Sequence, residues 1–171
     1  MADTTQSDFA FNPPMGAPGE YADYASHSNA INESYTGSVA LPFGRGVSSA
    51  AATPNVCELP VSAGTAARFA GIVLKNQSKP TGAGYAIGEQ VLLARTGRVR
   101  VVFETAMADK AQPFIRITES AVGANDMGQF RNDVDGGKAV ACPGCMVRAV
   151  NGVVAAAGVG VLELNLEGVK I

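Results

Sequence analysis

The sequence predicts an all-β fold, a β-sandwich or a jelly-roll or barrel domain, with an extended N-terminal arm in front of it. Three observations carry this prediction. Glycine makes up 20 of the 171 residues, and it punctuates short apolar runs in the way tight turns punctuate strands. Two segments alternate with the period of a half-buried strand: Val99, Val101 and Phe103 against Arg98, Arg100 and Val102, and Leu162, Leu164 and Leu166 against Glu163, Asn165 and Glu167. No segment sustains a helical period, so helices are expected to be short.

Residues 1–37 read as the arm. They hold three prolines, almost no aliphatic residues and no periodic pattern, so they cannot bury a core of their own. They nevertheless carry Phe9, Phe11, Tyr21, Tyr24 and Tyr35, in a chain whose aromatic residues are 7 Phe, 4 Tyr and no Trp. Aromatic side chains spaced along a polar segment suit an arm that orders on a neighbouring subunit, because each ring buries a large area at low entropic cost.

Residues 38–171 read as the β domain. "VCELPV" (56–61) and "RFAGIVLK" (68–75) are short apolar strands, and "KNQSKPTGAG" (75–84) is a surface loop. The Thr96-Gly97 pair inside "EQVLLARTGRVRVVFE" (89–104) predicts a hairpin, with a cationic start to the outward face of its second strand. "QPFIRITES" (112–120) sets Ile115 and Ile117 against Phe114, Arg116 and Thr118, and a short strand is expected around Gln129 to Arg131. "KAVAC", "MVRAV" and "VVAAAGVGVLELNL" follow, with Asn151-Gly152 as the strongest local hairpin signal.

Composition narrows the function classes. A net charge of -2 and 13 scattered Lys and Arg residues offer no basic field for direct nucleic-acid binding. No apolar run reaches the roughly 18 to 20 residues of a membrane helix, and "ADTTQSDF" after Met1 has neither region of a signal peptide. Three cysteines, an odd number, fit reduced thiols in a cytosol better than a disulfide framework.

Cys142 and Cys145, in "ACPGCM", have the spacing of a redox dithiol or half a zinc site. A thioredoxin-like pair needs a helix N-terminus to stabilise its thiolate, whereas "MVRAVNGVV" reads as strand, turn and strand. Pro143 and Gly144 match the fixed-φ and positive-φ positions of a type II turn, so a β-turn with a cysteine at each end is expected. Further zinc ligands would have to come from Cys57 and the lone histidine, His27, and no metal site is expected. Catalysis by Ser/His/Asp or Cys/His would rest on His27 as well, so no catalytic residue is expected.

The Gly-x-Gly spacings in "GAGYAIGE" (82–89) and "GVGVLE" (158–163) neither follow a strand nor open a helix, which leaves no cofactor site. Asp126, Asp133 and Asp135 crowd "NDMGQFRNDVDGG" (125–137). They lack the alternation of a calcium loop and suit turns better.

Several stretches resemble the capsid decoration, or cement, proteins of tailed bacteriophages. They are "INESYTGSVALPFGRGV" (31–47), "RFAGIVL" (68–74), "YAIGEQVLLARTGRVRVV" (85–102), "GQFRNDVDGGKAVACPGCMV" (128–147) and "LELN" (162–165), in consistent order, with residues 1–30 outside the resemblance. The resemblance implies a virion protein without a catalytic centre, made in the host cytoplasm, that binds the outer surface of the phage head and stabilises contacts between major capsid protein subunits. It implies a homotrimer, with a homodimer as the second arrangement, and no direct nucleic-acid or membrane partner. It also implies small or apolar residues where Cys142 and Cys145 stand, so the pair departs from the pattern.

On this reading the interface residues are Phe9, Phe11, Tyr21, Tyr24 and Tyr35 as arm anchors, with Phe43 and Arg45 of "LPFGRG" where the arm enters the domain. Two other classes compete. A β-sandwich binding module for glycans or host surfaces would need stacking aromatics, which are few outside the arm. A thiol-redox protein would act through Cys142 and Cys145.

Overall fold

The computed structural model describes residues 16–22, 29–51, 53–79, 84–121, 125–148, 153–154 and 158–166. The first strands are β1 (Ala30–Tyr35), β2 (Leu41–Pro42), β3 (Gly46–Ser49) and β4 (Val56–Glu58). After one short helix, α1 (Ala63–Ala66), come β5 (Phe69–Val73), β6 (Gly84–Tyr85), β7 (Gln90–Ala94), β8 (Thr96–Val102), β9 (Met107–Ala108), β10 (Phe114–Arg116) and β11 (Phe130–Arg131). A 3-10 turn (Asp135–Gly137) precedes β12 (Ala139–Ala141), β13 (Cys145–Arg148), β14 (Val153–Val154) and β15 (Val159–Asn165). The expected all-β class holds.

Five strands close into a barrel in the order β1-β4-β3-β5-β7. β1 and β4 run parallel, and the other pairings are antiparallel. Closure comes from β1 lying along β7, from Ala30 opposite Ala94 to Ser34 opposite Gln90. A closed barrel leaves none of these five strands with an open edge. Tyr35, Val47, Cys57, Val73, Val91 and Leu93 from the barrel strands form one buried cluster with Leu41, Phe43 and Tyr85.

The opposite faces of β5 and β7 feed a second buried cluster. Phe69, Ile72 and Ala94 meet Val99, Val101, Phe103, Ile115, Phe130, Val147, Leu162 and Leu164 there. β5 presents side chains to both clusters, and its pairing with β3 slips on the way: Val47 lies opposite Gly71 and Ser48 opposite Phe69, so Ala70 has no partner. This bulge breaks strict alternation, and Phe69 and Ile72 join one cluster while Ala70 and Val73 join the other. Gly71 is required at that point, since an added Cβ would collide with the carbonyl oxygen of Ala94.

The remaining strands form the sheets β13-β15-β8, β11-β10-β12, β14-β9 and β2-β6. β15 lies along β8 from Val159 opposite Val102 to Asn165 opposite Thr96. The alternating residues behave as expected: Val99, Val101, Phe103, Leu162, Leu164 and Leu166 are buried, and β11 forms at Phe130–Arg131. Helix α1 is held by a reciprocal cap, in which Thr65 N donates to Ser62 Oγ at 3.1 Å and Ser62 N donates to Thr65 Oγ1 at 2.8 Å.

Two expectations need correction. Residues 89–104 do not form a hairpin, because β7 pairs with β1 and β5 whereas β8 pairs with β15. The chain turns a corner at Arg95, where the amides of Arg95 and Thr96 both donate to Asn29 O and Asn29 N donates to Thr96 Oγ1 at 2.8 Å. Nor does the arm extend to residue 37, because β1 is a stave of the barrel. The Asn151-Gly152 turn lies outside the described residues, and the strands on either side of it pair elsewhere, β13 with β15 and β14 with β9.

Candidate functional site

The interface residues expected from the sequence separate into three groups. Tyr35, Phe43 and Arg45 are buried in the chain's own domain, which corrects their assignment to a partner-facing surface. Tyr35 lies on β1, points into the barrel cluster and donates its hydroxyl proton to Val39 O at 2.8 Å. Phe43 packs edge-on against Tyr85, with ring centroids 5.6 Å apart. Arg45 donates to Met127 O at 3.0 Å and to Asn125 O at 2.8 Å, and burial lowers its pKa to about 10 against the opposing pull of Asp126 and Glu104.

Tyr21 forms the second group. Residues 19–22 lie along the edge of β8: Gly19 N donates to Arg100 O and Arg100 N to Glu20 O, both at 2.8 Å, and Ala22 N donates to Arg98 O at 2.7 Å. Tyr21 is half-buried against the second core cluster, and Arg100 donates to its carbonyl at 2.6 Å. Glu20 completes the attachment through Lys75 at 2.9 Å. Phe9, Phe11 and Tyr24 form the third group and lie outside the described residues.

Next to this docked segment is the outward face of the sheet β13-β15-β8. Its rows read Arg148 opposite Val161 opposite Arg100, and Met146 opposite Glu163 opposite Arg98. Glu163 accepts from Arg148 at 2.6 Å and from Arg98 at 3.1 Å. Arg148, with Arg98 assisting, holds its carboxyl below the usual range although partial burial pulls the other way. Met146 remains 40% exposed beside these charges. The face therefore combines fixed guanidinium groups with an accessible apolar side chain, a combination suited to a protein partner. The strand alternation exposed Arg98 and Arg100 in the sequence, but Met146 and Arg148 emerge only from the register.

The acidic loop is held by two buried arginine side chains. Arg116, whose side chain is 2% exposed, binds Glu104 through Nε and Nη2, each at 2.6 Å, and Asp135 at 2.8 Å, with Asp126 at 3.6 Å. Arg131 binds Asp135 at 2.7 Å, Asp133 at 2.8 Å and Glu104 at 3.2 Å. Two guanidinium groups thus bridge four carboxylates, Glu104, Asp126, Asp133 and Asp135. Among the described residues no three His, Cys, Asp or Glu side chains group as metal ligands.

Cys142-Pro143-Gly144-Cys145 forms the expected turn, with Gly144 at φ 67°. No helix among the described residues is long and apolar enough to cross a membrane. A groove of about 480 Å³ lies beside the docked segment, lined by Glu20, Tyr21, Lys75, Leu92 and Arg100 among others. Among the described residues Tyr21 is its one aromatic lining residue.

A family model described as "Structural cement protein (E217 gp24/Pam3 gp6)" matches residues 5–166. The chain belongs to this cement protein family. The cement protein is similar in fold to a chain of "The capsid of Myoviridae Phage XM1", with a TM-score of 0.65 and 21% identity over 86% of this chain and 89% of that one. No curated protein matches the sequence. Family membership makes this cement protein a structural component of a phage capsid. Because the match begins at residue 5, most of the N-terminal segment belongs to the family pattern, which extends the resemblance beyond residues 31–165.

Proposed function

We propose that this protein binds the outer surface of an assembled phage head and stabilises contacts between neighbouring major capsid protein subunits, as a homotrimer with a homodimer as the second arrangement. Its role is structural rather than catalytic, and it is made in the host cytoplasm before joining the virion. The observation that carries this reading is the family match over residues 5–166, which takes in both the β domain and most of the aromatic segment in front of it.

The physical logic is linkage. A protein touching two shell subunits makes their separation break its own contacts as well as theirs, and contacts tied together act at high effective concentration. Fully extended, residues 1–15 would span about 50 Å. Phe9 and Phe11 are the anchors of that reach, Tyr24 is an anchor in the link between the docked segment and β1, and the sheet face around Met146, Arg98 and Arg148 is the domain's own contact surface.

Co-sedimentation with phage heads on a density gradient tests the reading. Fixed stoichiometry per major shell subunit, retained through moderate salt, is the expected result. Protein remaining at the top of the gradient at every salt concentration would exclude head binding.

A further inference from the structure

Cys142 and Cys145 bracket the Pro-Gly turn, and their sulfur atoms stand 3.1 Å apart. We propose that this pair is an oxidative modification site, a thiol couple that closes into an intrachain disulfide on exposure to a low-molecular-weight disulfide of the glutathione class. The proposal is independent of head binding.

The surrounding frame holds the pair in place. A β-turn brings its first and fourth Cα atoms within about 7 Å, close to the spacing that disulfides span. Cys142 N donates to Pro113 O at 2.9 Å. Beyond the turn, Asn165 N donates to Gly144 O at 2.9 Å, and Cys145 lies opposite Leu164 in the ladder. Gly144 cannot be replaced without strain, because it sits at positive φ and an added Cβ would come within 2.9 Å of Asn165 O. A closure of about 1 Å between the sulfurs remains to reach bonding distance, within the range of small side-chain rotations.

The two thiols have different roles. Cys142 is fully buried, and burial, then its contact with Cys145, pushes its thiol well above the ordinary value. Cys145 is half-buried at the start of β13 and accessible to a reagent. The Cys145 thiolate attacks one sulfur of the reagent disulfide, forming a mixed disulfide and expelling one reagent thiolate. The first expelled thiolate takes up the Cys142 proton, and the Cys142 sulfur attacks Cys145 Sγ, expelling the second reagent thiolate, which solvent protonates. The two protein thiols lose two electrons and two protons, and the reagent disulfide gains them as two thiols. The protein is consumed in one turnover, so the site is a staple rather than a recycling oxidoreductase.

Intact mass and thiol counting under denaturing alkylation test this on the full chain. After reduction, removal of reductant and incubation with oxidised glutathione, the three thiols should fall to one. The mass should drop by two hydrogens with no glutathione retained, and peptide mapping should join residues 142 and 145. Cys142→Ala, which preserves an apolar side chain in the core, should instead retain one glutathione on Cys145. Wild-type protein that keeps all three thiols, or that retains glutathione, would overturn the proposal whether or not the variant folds.

Discussion

Arg116 on β10 grips Glu104 at both carboxylate oxygens, each at 2.6 Å, and a second carboxylate, Asp135, closes on the same guanidinium at 2.8 Å. The arrangement ties the segment after β8 to β10 and to the loop after β11. Removing one partner of a buried ion pair leaves the other charge uncompensated, which costs about 3 to 5 kcal/mol. Arg116→Ala should therefore remove much of the domain's stability, read as a lowered urea midpoint.

The same network should weaken in acid. The hydrogen bond from Arg116, with Arg131 adding its charge, holds the Asp135 carboxyl below the ordinary value of 3.8. A depressed folded-state pKa contributes stability that is present above the unfolded value and is lost as pH falls through the folded one. Urea midpoints measured from neutral pH to below that ordinary value should fall for wild type, and Asp135→Asn should lose this part of the dependence.

Glu33 should titrate in the opposite sense. It is 6% exposed on β1, and its Oε2 accepts no hydrogen bond from the protein. Burial raises its carboxyl above the ordinary 4.5, opposed by Arg95. A raised folded-state pKa gives stability that is complete below the unfolded value and lost as pH rises through the folded one. Glu33→Gln should stabilise the barrel at neutral pH by on the order of 1 kcal/mol, and the gain should vanish below the ordinary 4.5. An equal gain at both pH values would refute a titrating origin.

Aromatic substitutions should divide at the barrel wall. Tyr35→Ser empties a fully buried site on a barrel stave and should cost about 3 to 5 kcal/mol, the range for truncating a large core aromatic. Replacing Phe9, Phe11 and Tyr24 together with serine should leave thermal unfolding unchanged and abolish attachment to heads. Loss of folding in the triple variant would place those rings in the core instead.

Gly71→Ala tests the bulge that divides the two clusters. The new methyl group would meet the Ala94 carbonyl, and the overpacking should cost about 1 to 3 kcal/mol, measured by calorimetry.

Strand character was legible in the sequence because a two-residue period is local: Val99, Val101 and Phe103 need only their neighbours to declare a buried face. The Pro143-Gly144 turn was legible for the same reason, since fixed φ and positive φ are properties of single residues. Pairing is not local. Gln90–Ala94 and Thr96–Val102 are adjacent in the chain yet belong to different sheets, because each buries its apolar face against a distant partner. The acids of the 125–137 loop were visible, but Arg116 and Glu104 reach them from elsewhere in the fold. An aromatic residue looks the same in sequence whether it fills its own barrel or anchors on a neighbour. Only the place of β1 between β4 and β7 in the barrel turned Tyr35 inward, and burial follows from that placement rather than from residue type.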